Sequence, residues 1–251
     1  MDKEATFSHW KQQSARKLDV SRKGNVDGDI EHTVRLINEQ HCYFTSSSCS
    51  GRIIMVNEAQ DTSVIQKQNC TWLFVTHQLC KASEVVAALE KSTGNVVLKF
   101  EPFVLHVQCR ALADAQLLHT VAINSGFRNS GITVGKKGKI VMAVRSTHGL
   151  EVPLSQNGKC LVSQEYIEFL VQTANKKMEE NIKRITRFHS CLYVALQKKD
   201  CVHDESSNEK SSSPVYTRRR KRKEGNSIPN CSSGEEQQSD LELGLTLFND
   251  V

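Results

Sequence analysis

Apolar residues recur at helical spacing in four stretches of the chain and alternate or run together in several others. Phe7, Trp10, Ala15 and Leu18 predict a helix over residues 6–18, and a turn follows from Asp19 or Ser21 through Gly24. Ile30, Val34 and Ile37 place a second helix over residues 26–38. Strands are expected at Ile53–Val56 and Trp72–Thr76, then a short helix capped by Ser83 and closed by Thr93-Gly94-Asn95. Val96–Phe100 and Phe103–Val107 read as two strands broken by Pro102. Leu117, Leu118, Val121 and Ala122 mark a helix over residues 112–124 that Gly126 stops. Ile132–Val134 and Ile140–Val144 flank Gly135-Lys136-Lys137-Gly138 as a hairpin, and Glu151–Leu154 adds a short strand. From Ser163 a long helix carries Tyr166, Ile167, Leu170, Ala174, Met178, Ile182, Ile185 and Leu192 to about Gln197.

Helices and strands therefore mix without a βαβ rhythm. The expected class is α+β: a mixed sheet with flanking helices and one long C-terminal helix, not a doubly wound Rossmann fold. No GxGxxG follows a strand, which excludes the usual dinucleotide cradle. After Lys199 the periodicity fails and Ser, Asn, Glu and Lys dominate, with the basic block TRRRKRK and acidic residues behind it. The chain thus divides into a compact body, residues 1–199, and a charged tail, residues 200–251, too polar to offset its own ordering entropy.

Charge sharpens this division. The tail holds seven Lys/Arg against ten Asp/Glu, and the body 26 against 18, so a net +8 sits on the folded part. A basic body suits a nucleic-acid partner through counterion release, and equally a solubilising surface. No apolar run approaches the roughly 20 residues of a membrane span, and the opening MDKEATFSHW has no secretory apolar stretch. The expected location is cytoplasmic, with nuclear access through the basic block. The nine cysteines contain no CxxC pair, which argues against zinc and against a disulfide framework. No metal is expected.

Three segments can carry chemistry. Ser46-Ser47-Ser48-Cys49-Ser50-Gly51-Arg52 lies between apolar segments as a polar turn or as a ligand-binding stretch of hydroxyls with an arginine fork. It lacks the flanking glycines of a hydrolase elbow. On an extended strand His106, Gln108 and Arg110 share one face, as a site or as packing, and an imidazole there can take up a proton. Gly126-Phe127-Arg128-Asn129-Ser130-Gly131 is an anion-cradling loop or a helix stop with a turn. Arg145 sits, like Arg128, at an element end beside small residues. The cations of the last helix alternate with acids and read mostly as a solvated face. A Walker loop is excluded, since no Ser/Thr follows the lysine after Gly131.

In order, TSSSCSGRI, WLFVTH, LKFEPFVLHVQCR, GFRNSGI, LEVPL and EYIEFLVQTANKKMEENIKRI resemble the motif series of the tRNA wybutosine-synthesizing protein 3 family in a eukaryotic form. The likeness runs from Phe7 to Arg187 and leaves the tail uncovered. It implies a methyltransferase using S-adenosylmethionine, with an α+β fold unlike the common methyltransferase sheet. The implied substrate is phenylalanine tRNA, methylated at nitrogen 4 of the tricyclic 7-aminocarboxypropyl-demethylwyosine base beside the anticodon. On this reading Ser47, Ser48, Ser50 and Arg52 bind the cofactor, and His106 or His77 accepts the departing proton. Arg110, Arg128, Ser130 and Arg145 face the base and the RNA. Transient contact with other enzymes of wybutosine synthesis is a further expectation. The alternatives are a non-catalytic RNA-binding module and an interaction protein docking through LELGLTLF.

Overall fold

The computed structural model describes residues 3–16, 25–58, 70–136 and 138–205. Helices α1 (Lys3–Arg16) and α2 (Gly28–Glu39) precede the long strand β1 (Tyr43–Glu58). Then come β2 (Thr71–Thr76), α3 (Ala82–Leu89), the second long strand β3 (Asn95–Cys109) and α4 (Leu112–Asn124). The short strands β4 (Gly131–Val134), β5 (Ile140–Val144), β6 (Leu150–Gln156) and β7 (Lys159–Cys160) lead into α5 (Gln164–Glu205). The turn expected at residues 19–24, Lys137, the TRRRKRK block and LELGLTLF lie outside the described residues. Among the described residues no helix is long and apolar enough to cross a membrane.

β1 and β3 form the spine, paired from Tyr43↔Cys109 to Glu58↔Asn95. β2 adds to the far edge of β1. The other edge of β3 carries β6 along Val96–Phe100 and β5 along Leu105–Cys109, and β4 closes the sheet beyond β5. Every described pairing is antiparallel, so the sheet is not the mixed one the sequence suggested. The α+β class, the long last helix and the absence of βαβ units all stand.

Pro102 does not break the strand. β5 and β6 leave Glu101–Val104 unpaired on their edge, and the N–H of Phe103 points the opposite way, toward Asn181. The missing donor of Pro102 therefore falls where no partner strand stands, which is where a sheet tolerates proline. The hydroxyl run is likewise no turn: Thr45 to Gly51 lies within β1. The backbone bonds of β3 hold it extended despite its small side chains.

Two apolar clusters pack along the spine. α2, α4 and the C-terminal half of α5 enclose Phe103, Leu105 and Phe127, while α3 and the N-terminal half of α5 enclose Ile53, Leu98 and Phe100. Inward positions on β3 run Leu98, Phe100, then Phe103, Leu105, so two residues separate them at Glu101-Pro102 instead of one. The face alternation flips there. α5 spans both clusters through Ile167, Leu170, Ala174, Met178, Ile185, Phe188 and Leu192, each at most 4% exposed. Each large one contributes about 1.5–3 kcal/mol by leaving water. Tyr166 and Ile182, expected in that stripe, are exposed, and Asn181 occupies the stripe fully buried. The helix continues to Glu205, past the boundary expected at Lys199.

Two turns finish the frame. Gly126 adopts φ +98° and the Phe127 N–H reaches back to the Ala122 carbonyl at 2.9 Å, a left-handed stop that turns Phe127 into the core. Asn157 (φ +49°) and Gly158 (φ +76°) join β6 to β7, a hairpin the pattern did not reveal.

Candidate active site

The hydroxyl run of β1 lies beside the His106 stretch of β3, and a bulge between Thr45 and Ser47 sets its register. The bulge leaves Ser46 unpaired, its hydroxyl donating to the His106 carbonyl at 3.3 Å, and brings Ser47 opposite His106. Ser47 Oγ is 2.9 Å from His106 Nδ1, and an Arg145 guanidinium nitrogen is 3.0 Å from His106 Nε2. Arg145, just past β5, donates its backbone N–H to Ser130 Oγ at 3.1 Å. Ser47, His106, Arg145 and Ser130, drawn from four distant segments, thus form one hydrogen-bonded chain. Burial, and secondarily the charge of Arg145, lower the His106 pKa.

Beside this chain a cleft of about 330 Å³ opens at the edge of β3 left free between β5 and β6. Cys49, Arg52, Glu101, Pro102, Arg145 and Ser146 border it. Its volume lies at the small end of ligand pockets, about 300–1,000 Å³. Arg52 binds Glu101 at 2.7 Å and lies over the Trp72 ring at 4.7 Å, so its fork is already half engaged. Asn129 borders the same cleft, and its neighbour Arg128 is exposed.

Other expected residues lie elsewhere. Ser50 is 2% exposed and faces inward, its N–H donated to Asp27 Oδ2 at 2.8 Å. Ser48 is half-buried opposite Leu105, on the other face of the strand from Ser47. Arg110 lies one residue past the end of β3, in a bend, ion-paired with Glu4 of α1 at 3.0 Å. Phe7 of α1 packs on Phe44 there, and Phe44 is the register partner of the buried Gln108.

His77 follows β2 and donates from Nδ1 to the Gly51 carbonyl at 2.9 Å, with Asp27 Oδ2 at 3.5 Å. The ligating atoms of Asp27, Cys49 and His77 all lie within 4.8 Å of one another. Their chemistry suits hydrogen bonding better than a cation. Asp27 holds the Ser50 N–H, His77 Nδ1 keeps its proton for Gly51, and burial raises the Cys49 thiol pKa against the opposing pull of the Gly51 backbone and Arg52.

Several residues of the site were not singled out from sequence. Asp27 and Asn181 brace β1; Asp27 lies outside the quoted motifs, and Asn181 lies inside the last of them without having been picked out of it. His148 lies against Phe100 at 5.6 Å and contacts Ser146, while Arg184 of α5 reaches Ser146 Oγ and His148 Nδ1, each at 3.3 Å. One turn of the helix read as a solvated face therefore borders the cleft wall.

A family model described as Methyltransferase TYW3 matches residues 2–194. A Xenopus laevis protein named tRNA wybutosine-synthesizing protein 3 homolog is 75% identical over 250 residues, covering 100% of both chains. A Pyrococcus abyssi protein is 35% identical over 169 residues, 67% of this chain and 80% of that one. Its name is tRNA(Phe) 7-((3-amino-3-carboxypropyl)-4-demethylwyosine(37)-N(4))-methyltransferase 2. A solved structure from Pyrococcus horikoshii superposes with a TM-score of 0.68 at 32% identity, covering 76% of this chain and 97% of that one.

Proposed function

The chain belongs to the Methyltransferase TYW3 family, and on that premise we propose that it methylates nitrogen 4 of the 7-aminocarboxypropyl-demethylwyosine base of phenylalanine tRNA. That is the substrate in the name of the archaeal relative, and the vertebrate relative is named for wybutosine synthesis. The observation that carries the reading is the Ser47–His106–Arg145 chain, which ends in a cleft of ligand size.

S-adenosylmethionine, the donor the family implies, supplies an electrophilic methyl group. The residues present fit such a molecule: Arg145 and Glu101 offer opposite charges in one cleft, and Ser47 is linked to Arg145 through His106. A methyl transfer asks the protein mainly to hold two reactants in line and close, and a wall built on two paired strands is a rigid way to do so. The apolar atoms of Pro102, Phe103 and Val104 exclude water from part of the cleft. The proton that leaves nitrogen 4 has two exits, solvent and Nε2 of His77, whose Nδ1 is fixed by Gly51. The committed partners of Asp27, Cys49 and His77 support a metal-free step.

Arg128, Asn129 and Ser130 lie on the loop next to Arg145 and serve the RNA backbone, with Arg184 behind them. Ser50 and Ser48 shape the strand rather than touch the donor. The body at residues 1–199 carries the reaction, in the cytoplasm, with the charged tail as an accessory for nuclear entry or for contact with neighbouring enzymes of the pathway.

The test is transfer of a labelled methyl group from S-adenosylmethionine to tRNA isolated from cells that lack this step. The nucleoside should gain the mass of one methyl group. A protein that binds this tRNA and returns it unchanged is the RNA-binding module instead.

A further inference from the structure

Both ring nitrogens of His106 are engaged, and the identity of the partners fixes its proton. A guanidinium only donates, so Nε2, 3.0 Å from Arg145, is the acceptor. The neutral ring then carries its hydrogen on Nδ1 and donates it to Ser47 Oγ at 2.9 Å. A general base needs an open lone pair aimed at the proton it removes. The one lone pair of this ring is occupied by a cation, and a second proton there would face that cation directly.

Arg145 is the unusual member of the pair. Four other arginines near the cleft or along the same strands meet carboxylates: Arg52 meets Glu101, Arg110 meets Glu4, and Arg184 and Arg187 share Glu180. Arg145 is held instead by a neutral imidazole and, through its backbone, by Ser130. Among the described residues no carboxylate pairs with it, so its charge is oriented without being compensated there, and the imidazole bond leaves other N–H groups of the planar fork for a second partner. Glu101 borders the same cleft.

We propose that His106 is a positioning residue, and that the Arg145 fork it aims receives the carboxylate of an α-amino acid head group, with Glu101, whose Oε2 already holds Arg52, offering its other oxygen to the ammonium. This rests on the methyltransferase reading, under which two molecules at the site end in that group. One is the methionine end of the donor, and the other is the 3-amino-3-carboxypropyl chain in the archaeal relative's substrate name. The shared chemistry is a carboxylate beside an ammonium.

The experiment uses the full chain and three variants, His106→Ala, His106→Gln and Arg145→Gln, each checked for folding by circular dichroism. Affinity for S-adenosylmethionine is measured by equilibrium dialysis without tRNA. KM and kcat are then measured on tRNA with and without the aminocarboxypropyl chain. Loss of one charge-assisted pair corresponds to about a ten- to hundredfold weaker constant, expected for Arg145→Gln and His106→Ala. His106→Gln should recover most of that loss, because its amide oxygen reaches the Nε2 position. Glutamine can accept from Arg145 but cannot take up a proton, so that recovery separates positioning from proton removal.

If the dialysis constant moves, the carboxylate belongs to the donor. If only KM for the tRNA carrying the side chain moves, it belongs to the base. Unchanged constants in Arg145→Gln overturn the receptor. A His106→Gln protein as slow in kcat as His106→Ala makes His106 the base and overturns its positioning role. Absence of methyl transfer by the unaltered protein would sink the functional reading alone, because the dialysis arm still reports on Arg145.

Discussion

Asn181, fully buried in the middle of the longest helix, accepts the backbone N–H of Phe103 at 2.8 Å. Its amide nitrogen donates to the Ser50 carbonyl at 2.7 Å. Ser50 and Phe103 face each other between the paired positions Cys49↔Val104 and Gly51↔Pro102. One side chain thus splices the two central strands where their alternation flips and where the cleft begins.

Asn181→Ala should therefore act on the whole fold. It orphans a buried donor and a buried acceptor, each costing about 1–3 kcal/mol. The expected loss is on the order of 3 kcal/mol in urea denaturation. A variant within about 0.5 kcal/mol of the parent, the range of an ordinary surface change, would mean that water or a shifted strand replaces the splice.

Gly51→Ala tests the same junction from the other side. Gly51 holds φ +106°, and an added Cβ would lie 2.8 Å from Asn181 Nδ2 and 3.1 Å from the Glu101 carbonyl. The backbone conformation alone costs a side chain about 1–3 kcal/mol, and the collision adds to it. In an Asn181→Ala background the collision with the amide disappears, so Gly51→Ala should cost measurably less there. Strict additivity of the two changes would refute the contact.

Much of this frame was legible in the chain, and its hidden parts share one cause. Helical spacing found α2, α4 and α5 because their apolar stripes are regular. It could not choose Asn181 over Ile182, since 178, 182 and 185 fit the period as well as 178, 181 and 185, and an apolar residue is the natural choice for a core. Alternation placed His106 and Arg110 on one face. It could not show that α1 covers one end of that face, nor that a bulge at Ser46 brings Ser47 against His106. Pro102 read as a break because the gap between β5 and β6 is a property of the assembled sheet. The cleft exists for the same reason.

Arg128 and Arg110 should separate in RNA binding. Arg128 is exposed beside the cleft, whereas Arg110 is paired with Glu4 under α1. If Arg128 meets a phosphate, Arg128→Gln lowers the slope of log affinity against log salt by about one unit and leaves donor binding unchanged. Arg110→Gln should leave that slope as it was. The reverse pattern in a filter-binding titration would move the RNA track to the α1 end of the sheet.

Stability should fall as the solution is made mildly acidic. His106 and His148 both have lowered pKa values, from burial first and then from Arg145 in one case and Arg184 and Lys177 in the other. Glu180 opposes the effect at His148 without reversing it. The unfolded chain takes up protons on these histidines from about pH 6.5 downward, while the folded chain resists until lower pH. In that interval the unfolded state holds more protons, so unfolding free energy rises with pH and is lost as pH drops. Glu180, held below the usual carboxylate range by Arg184, contributes its own loss only in more acidic solution. Urea midpoints between pH 5 and 8 should decline toward pH 5, and the decline should flatten in a His106→Gln, His148→Gln double variant. Midpoints that rise toward pH 5 in the parent would show that both rings gain, rather than lose, by taking a proton in the fold.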